Sequence, residues 1–275
     1  MSEYTRPILL LRIDTKDRIE NLCRYGHIYM SSPKKYHEKS LDFSTELISD
    51  TSDGKGSENV RMYLQLDKKD YERIGLAEDE GKLHYIGTGK NAYTNANQCI
   101  FCMVGVHRRN LIETNEKEYI WSLSWSAIQG LVGDKRKHED CGIFVTWGVE
   151  EFVEKWLAEI RKRDFNARWG FVTYDDHKYI PESQSSSTIE YALEACFHKD
   201  VIYAEQREFR FAACNSTNSD IEDLKVGELS VESYNLLGIQ EGCNLQLMIK
   251  REKSAKTSDK FVNTYYAGWI KESST

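Results

Sequence analysis

The sequence predicts a mixed α+β protein of many strands and few long helices. Short runs rich in β-branched and aromatic residues recur along the chain, and helical periodicity is strongest at Val149–Lys162. No regular alternation of strand and helix supports a parallel sheet. The 275 residues, 40% hydrophobic and 12% aromatic, supply one large core or two small ones. Two stretches of loop composition, Ser49–Ser57 and Gly87–Asn97, are flanked by strand-like runs, and only three prolines are present. Residues 1–275 therefore read as one elaborated domain rather than two joined by a linker.

The elements follow in order. Pro7–Ile13 reads as a buried strand, after which Asp14 can cap a helix over Thr15–Tyr25 that stops at Gly26. His27–Ser31, Asn59–Leu66, Lys82–Ile86 and Gln98–Val106 read as further strands. In Tyr119–Trp125, large apolar residues at Tyr119, Trp121, Leu123 and Trp125 alternate with Ile120, Ser122 and Ser124, so both serines share one strand face. Gly142–Trp147 is a strand, and Val149–Lys162 a helix with Phe152, Val153, Trp156, Leu157 and Ile160 on one stripe. Phe171–Tyr174 returns to strand, and Ile189–His198 forms a helix. Within Tyr203–Phe211 (Y-A-E-Q-R-E-F-R-F) the phenylalanines face the core and Glu208 faces elsewhere. A short helix near Ser230–Leu237 and a strand over Asn244–Lys250 complete the chain.

Composition excludes some function classes. A formal net charge of -7 provides no global basic field, so nucleic acid must meet a local patch, and anionic membrane is disfavoured. The apolar run Ile8–Leu11 is too short for a signal-peptide core or a membrane span, and the protein is expected to be cytoplasmic. Seven scattered cysteines do not make a disulfide framework.

Several motifs have a bland reading that outweighs the chemical one. Cys99-Ile-Phe-Cys102 has zinc-knuckle spacing but sits in an apolar strand-like run without the turn glycine, so no metal is expected. Gly87-Thr-Gly-Lys90 lacks the full phosphate-loop pattern and its following helix. Lys135–His138 is the compact basic cluster, and such runs are usually solvated loop. Asp175-Asp176-His177 offers carboxylates for a metal-dependent nuclease, a role that turn-forming aspartates imitate. No G-x-S-x-G elbow is present.

A constellation spread along the chain remains: Arg12 in the first strand, Ser122-Leu-Ser124 in a middle strand, and Gln206-Arg-Glu208 in a late one. In that order it resembles the arginine, S-x-S, Q/E-x-E signature of ADP-ribosyltransferases. The resemblance implies a mostly antiparallel split β-sheet with flanking helices, whose crevice holds NAD as substrate. It implies that Arg12 binds the cofactor's phosphate or ribose and that Ser122 and Ser124 shape its pocket. Glu208 would be the catalytic carboxylate, with Gln206 and Glu205 on the acceptor side. A carboxylate bonded to a ribose hydroxyl gains most as the sugar becomes oxocarbenium-like, which gives the assignment a physical logic. A strand-end arginine also pairs readily with an acid such as Asp14, and serines also populate the polar face of a strand.

A second resemblance covers more of the chain. The strings L-C-R-Y-G-H-I-Y-M-S-S-P-K-K-Y, I-W-S-L-S-W, G-I-F-V-T-W and F-H-K-D-V-I-Y-A-E-Q-R-E-F-R-F look like a poorly characterised microbial family. Its core closes on K-x-x-x-Y-x-x-E-x-E-F-R. This chain departs from it at Tyr36–Asp42, where the family has N-D-P-F, and offers Glu205 and Glu208 in place of a closer acid pair. The family implies an association with antiviral defence. The leading expectation is an NAD-dependent ADP-ribosyltransferase-like toxin or effector with a macromolecular acceptor, protein or nucleic acid, and a possible neutralising partner. A non-catalytic binding or sensor module for a phage component or nucleic acid is the alternative, and a metal-dependent nuclease the third.

Overall fold

The computed structural model describes residues 6–32, 60–65, 83–89, 97–115, 118–132, 137–175, 188–215, 223–230, 234–252 and 260–271. Leu9–Thr15 (β1) leads into helix Lys16–Tyr25 (α1) and the short strand His27–Ile28 (β2). Val60–Gln65 (β3) pairs with Leu83–Gly89 (β4), and Asn97–Val106 (β5), Ile112–Asn115 (β6) and Glu118–Leu123 (β7) follow. Helix Trp125–Val132 (α2), strand Cys141–Thr146 (β8), helix Val149–Lys162 (α3) and strands Asn166–Phe171 (β9) and Thr173–Asp175 (β10) come next. Helix Thr188–Ala195 (α4), strand His198–Asp200 (β11) and a 3-10 turn at Val201–Gln206 lead into Glu208–Asn215 (β12). Leu224–Lys225 (β13), Tyr234–Gly238 (β14), Cys243–Glu252 (β15) and Lys260–Lys271 (β16) follow.

The architecture is α+β, with mostly antiparallel pairing. A six-stranded sheet runs β14-β8-β1-β5-β12-β9 and a four-stranded one β16-β15-β7-β6, all antiparallel; β10 and β11 pair in parallel. Strand alternation sends the two faces of the larger sheet into different cores. On one face Leu10, Phe101, Met103, Phe144, Phe209 and Phe211 pack against α1 and α3. There Trp156 of α3 lies edge-on to Phe211 at 5.2 Å and to Trp169 at 6.3 Å.

On the opposite face, Leu9, Leu11, Val104 and Val145 meet Trp121, Leu245 and Leu247 of the smaller sheet, together with Ile128 of α2. Farther along that face, Ile100, Ala212 and Cys214 meet Ala192, Leu193 and Cys196 around α4. Strand β12 is therefore covered on both sides, and each of its residues is buried. A charged residue at an even position of this strand, such as Glu208 or Arg210, consequently has no solvent to face.

Local chemistry explains where elements start and stop. Helix α1 buries Ile19, Leu22 and Cys23 and ends where Gly26 adopts a left-handed φ of 59°, its N–H bonded to the Asn21 carbonyl. Its N-cap is Thr15, the last residue of β1, without a side-chain cap, whereas Asp14, the expected cap, lies one residue earlier within the strand. Strand β7 stops at Leu123, two residues short of the expected end. The Ser124 hydroxyl accepts the Ala127 N–H at 3.2 Å, and Trp125, whose bulk continues the alternation, is instead the first residue of α2. The helix expected near Ser230–Leu237 is replaced over Tyr234–Gly238 by an edge strand paired with β8, where tertiary pairing overrides local propensity. Tyr203–Gln206 belongs to the 3-10 turn, so β12 begins only at Glu208.

Candidate functional site

Glu208 sits at the centre of a buried charge network. Its Oε1 accepts from Lys199 Nζ at 2.7 Å and its Oε2 from Arg210 Nε at 2.7 Å. Lys199 also donates to Gln206 Oε1 at 2.8 Å and lies 4.7 Å from the centre of the Tyr203 ring, while Arg210 donates to the Cys196 carbonyl at 2.7 Å. The backbone N–H of Glu208 donates to the Tyr174 hydroxyl at 2.7 Å. Lys199, Glu208 and Arg210 are 2%, 5% and 0% exposed, so all three have left bulk water. Burial pushes the Glu208 carboxyl up, but the charges and hydrogen bonds of Arg210 and Lys199 outweigh it and bring its pKa down to about 2. Burial, then the Glu208 charge, push the Tyr174 hydroxyl well above its ordinary value, so it stays protonated.

Arg12 occupies the other face of the larger sheet. Its guanidinium donates to the Cys102 carbonyl at 2.5 Å and to Asp14 Oδ2 at 2.6 Å, and stacks 4.9 Å over Phe101, a member of the core that holds α1 and α3. Glu208 instead points toward α4, through Lys199 and the Arg210–Cys196 contact. The arginine and glutamate expected to share a crevice are separated by the sheet itself. Alternation along the strands sets the two apart: Arg12 pairs with Phe144 on the face of α1 and α3, and Glu208 with Val104 on the face that meets α4.

The serines meet a different acid. Ser124 Oγ is 3.0 Å from Ser126 Oγ, and Ser126 Oγ donates to Glu205 Oε2 at 3.4 Å. Ser122 is exposed, and its carbonyl accepts from Arg207 at 3.3 Å. Arg207 also lies 5.6 Å from the centre of the Trp121 ring and holds a left-handed φ of 47°, an unfavourable backbone state for a residue with a side chain. Ser122, Ser124, Glu205 and Arg207 thus gather at the surface where the 3-10 turn enters β12. Gln206 is drawn inward to Lys199.

The remaining motifs are resolved by geometry. Cys99 and Cys102 are an odd number of residues apart on β5 and pack into different cores, so they cannot chelate one ion. Burial pushes the Cys23 and Cys214 thiols up to about 11. Among the described residues no group of three or more His, Cys, Asp or Glu side chains is placed to hold a metal. Gly87–Gly89 ends β4, and Lys90 lies outside the described residues, as do Lys135, Arg136, Asp176 and His177. Lys137 pairs with Glu139 at 3.8 Å, and the His138 ring lies 4.7 Å from that of Trp125.

The fold and these contacts define an α+β protein organised around a buried lysine–glutamate–arginine centre beneath a surface turn. No protein family, curated protein or solved structure matches the chain. Among the described residues no helix is long and apolar enough to cross a membrane. Site reasoning from the sequence missed Lys199, Tyr174, Ser126 and Arg207. Lys199 and Arg210 were nevertheless visible in the K-x-x-x-Y and E-F-R steps of the string around Glu208.

Proposed function

We propose that the chain is a non-catalytic binding module that recognises a protein partner through the Val201–Gln206 turn. The observation that carries this reading is the enclosure of Glu208, whose two oxygens are taken by Lys199 and Arg210. A carboxylate so paired, and only 5% exposed, is shut off from a substrate in solvent, but it does tie down a loop. Lys199 lies just before the turn, and Gln206 and Glu208 lie at its end, so one ammonium cross-links both of its ends. The turn carries Val201 and Ile202, 55% and 74% exposed. A rigid scaffold presenting an apolar pair beside an acid is the usual economy of a recognition loop. The acidic net charge favours a protein over a polyanion. By the family resemblance, that protein would be a phage component.

Incubation with labelled NAD and with protein, RNA or DNA acceptors is expected to give neither label transfer nor nicotinamide release. In cells challenged with phage, Ile202→Asp is expected to abolish protection while the purified variant melts like the parent. NAD turnover by the parent chain overturns the reading.

A second reading rests on the contact between Ser126 and Glu205. Glu205 is exposed, and it shares a surface with Ser122 and Ser124. An ADP-ribosyltransferase using NAD would then employ Glu205 rather than Glu208, and its turnover would disappear in Glu205→Gln.

A further inference from the structure

The contacts of Lys199 bring together three groups whose chemistry partner recognition does not use. Lys199, Gln206 and Glu208 are 2%, 7% and 5% exposed, so an amine, a carboxamide and a carboxylate meet with almost no water between them. Lys199 Nζ stands 2.8 Å from Gln206 Oε1 and 2.7 Å from Glu208 Oε1. The centre of the Tyr203 ring lies 4.7 Å from the same nitrogen. A nucleophile, an electrophile and a proton carrier are therefore in contact in one enclosed place.

The arrangement is costly while it remains ionic. Among the described residues, Glu208 is the one carboxylate paired with Lys199, and its other oxygen serves Arg210. An ammonium taken out of water is offset only by close pairing, and here the counter-charge is shared between two cations. Conversion of the amine to an amide removes the lysine charge and leaves Glu208 to Arg210. Lys199 lies in β11 and Gln206 closes the 3-10 turn, so a bond between them would span the turn end to end.

We infer that Lys199 and Gln206 become joined by an intramolecular amide bond, with Glu208 relaying the protons. Lys199 Nζ attacks the side-chain carbonyl carbon of Gln206; the Nζ–Cδ bond forms and the bond from Cδ to the amide nitrogen breaks. The ammonium of Lys199 gives up two protons, one before the attack and one as the tetrahedral intermediate collapses. Glu208 takes each in turn and passes it to the departing nitrogen, which leaves as ammonium and carries the lysine charge away. Contact between the reacting groups replaces a bimolecular encounter, and exclusion of water removes the competing hydrolysis of the carboxamide.

Intact-mass spectrometry of the denatured full chain tests the inference. The parent is expected to be lighter than its sequence by one ammonia, about 17 Da. Tryptic mapping should place that loss in a peptide ending at Arg207, uncleaved after Lys199 and giving no fragment ions between Lys199 and Gln206. Lys199→Arg, which keeps the cation, and Gln206→Ala should each have the full mass of their sequences, and so should Glu208→Gln. If Glu208→Gln does not fold, the parent and Lys199→Arg decide. A parent of full mass overturns the inference, as does an ammonia loss that maps elsewhere or persists in Lys199→Arg; a lighter Glu208→Gln chain overturns the role of Glu208. The mass is read without a partner, so the outcome is independent of the comparison between Ile202→Asp and the parent.

Discussion

Arg12 and Glu208 lie on opposite faces of one antiparallel sheet, each held by its own ion pair: Arg12 by Asp14, and Glu208 by Lys199 and Arg210. They come from strands flanking the same neighbour, β5, which pairs with β1 on one side and β12 on the other. Proximity in the sheet did not make them partners, because side-chain direction alternates along a strand. Each residue has a structural role that accounts for its charge, and each leads to a different surface of the protein.

The Glu208 network predicts an order of mutational cost. Glu208→Gln leaves Lys199 and Arg210 buried without a counter-charge, which costs about 3–5 kcal/mol. Lys199→Met leaves the Glu208–Arg210 pair intact and orphans one side of the Gln206 amide, a loss on the order of 1–3 kcal/mol. Urea unfolding of the two variants is the measurement, and a Lys199→Met variant less stable than Glu208→Gln contradicts the charge count.

Acid should weaken the protein through the same carboxylate. The folded pKa of Glu208, about 2, lies below its ordinary value of 4.5, so its stabilising contribution is fully present above pH 4.5 and is lost as pH falls toward 2. The stability gap between parent and Glu208→Gln is therefore expected to be constant near neutrality and to shrink at about pH 3. A gap that does not change between those conditions would show that Glu208 is not ionised in the folded state.

Ser124 and Ser122 separate a structural role from a cofactor role. Ser124 caps α2 through the Ala127 N–H, so Ser124→Ala should cost about 1 kcal/mol. Ser122 is exposed, and its contact with Arg207 runs through its carbonyl, so Ser122→Ala should fall within about 0.5 kcal/mol of the parent. Thermal melts measure both, and NAD protection that disappears in Ser122→Ala would restore the serine to a cofactor pocket.

Much of the fold was legible in the sequence where a local signal decided it. The Gly26 stop of α1, the stripe of α3 and the alternation of Tyr119, Trp121 and Leu123 all appear in the structure as read. Trp125 misled because an aromatic residue continues a strand pattern and starts a helix equally well. Tyr234–Gly238 misled because its conformation depends on a partner strand far away in sequence. The site was legible as residues but not as an arrangement: K-x-x-x-Y-x-x-Q-x-E-F-R names nearly every member of the buried network. Whether a charged group on an alternating strand faces solvent or another layer depends on what covers the sheet, and no spacing within β12 encodes the packing of α4 above it.

Gly26 provides a test of how α1 is docked. A Cβ at Gly26 would lie 2.0 Å from the Gly227 carbonyl oxygen and 2.7 Å from Val226 Cγ2, and the position has a φ of 59°. The Gly26 carbonyl also accepts the Val226 N–H at 3.0 Å, next to the pairing of β2 with β13, so the chain cannot retreat without breaking that contact. Gly242 has a similar φ of 69° but nothing within 4 Å of its added Cβ. Gly242→Ala therefore bears only the left-handed backbone cost, about 1–2 kcal/mol, while Gly26→Ala adds a steric clash and should exceed it. Comparing the two by urea unfolding isolates the packing contribution, and equal losses would mean that β13 does not press on the end of α1 in solution.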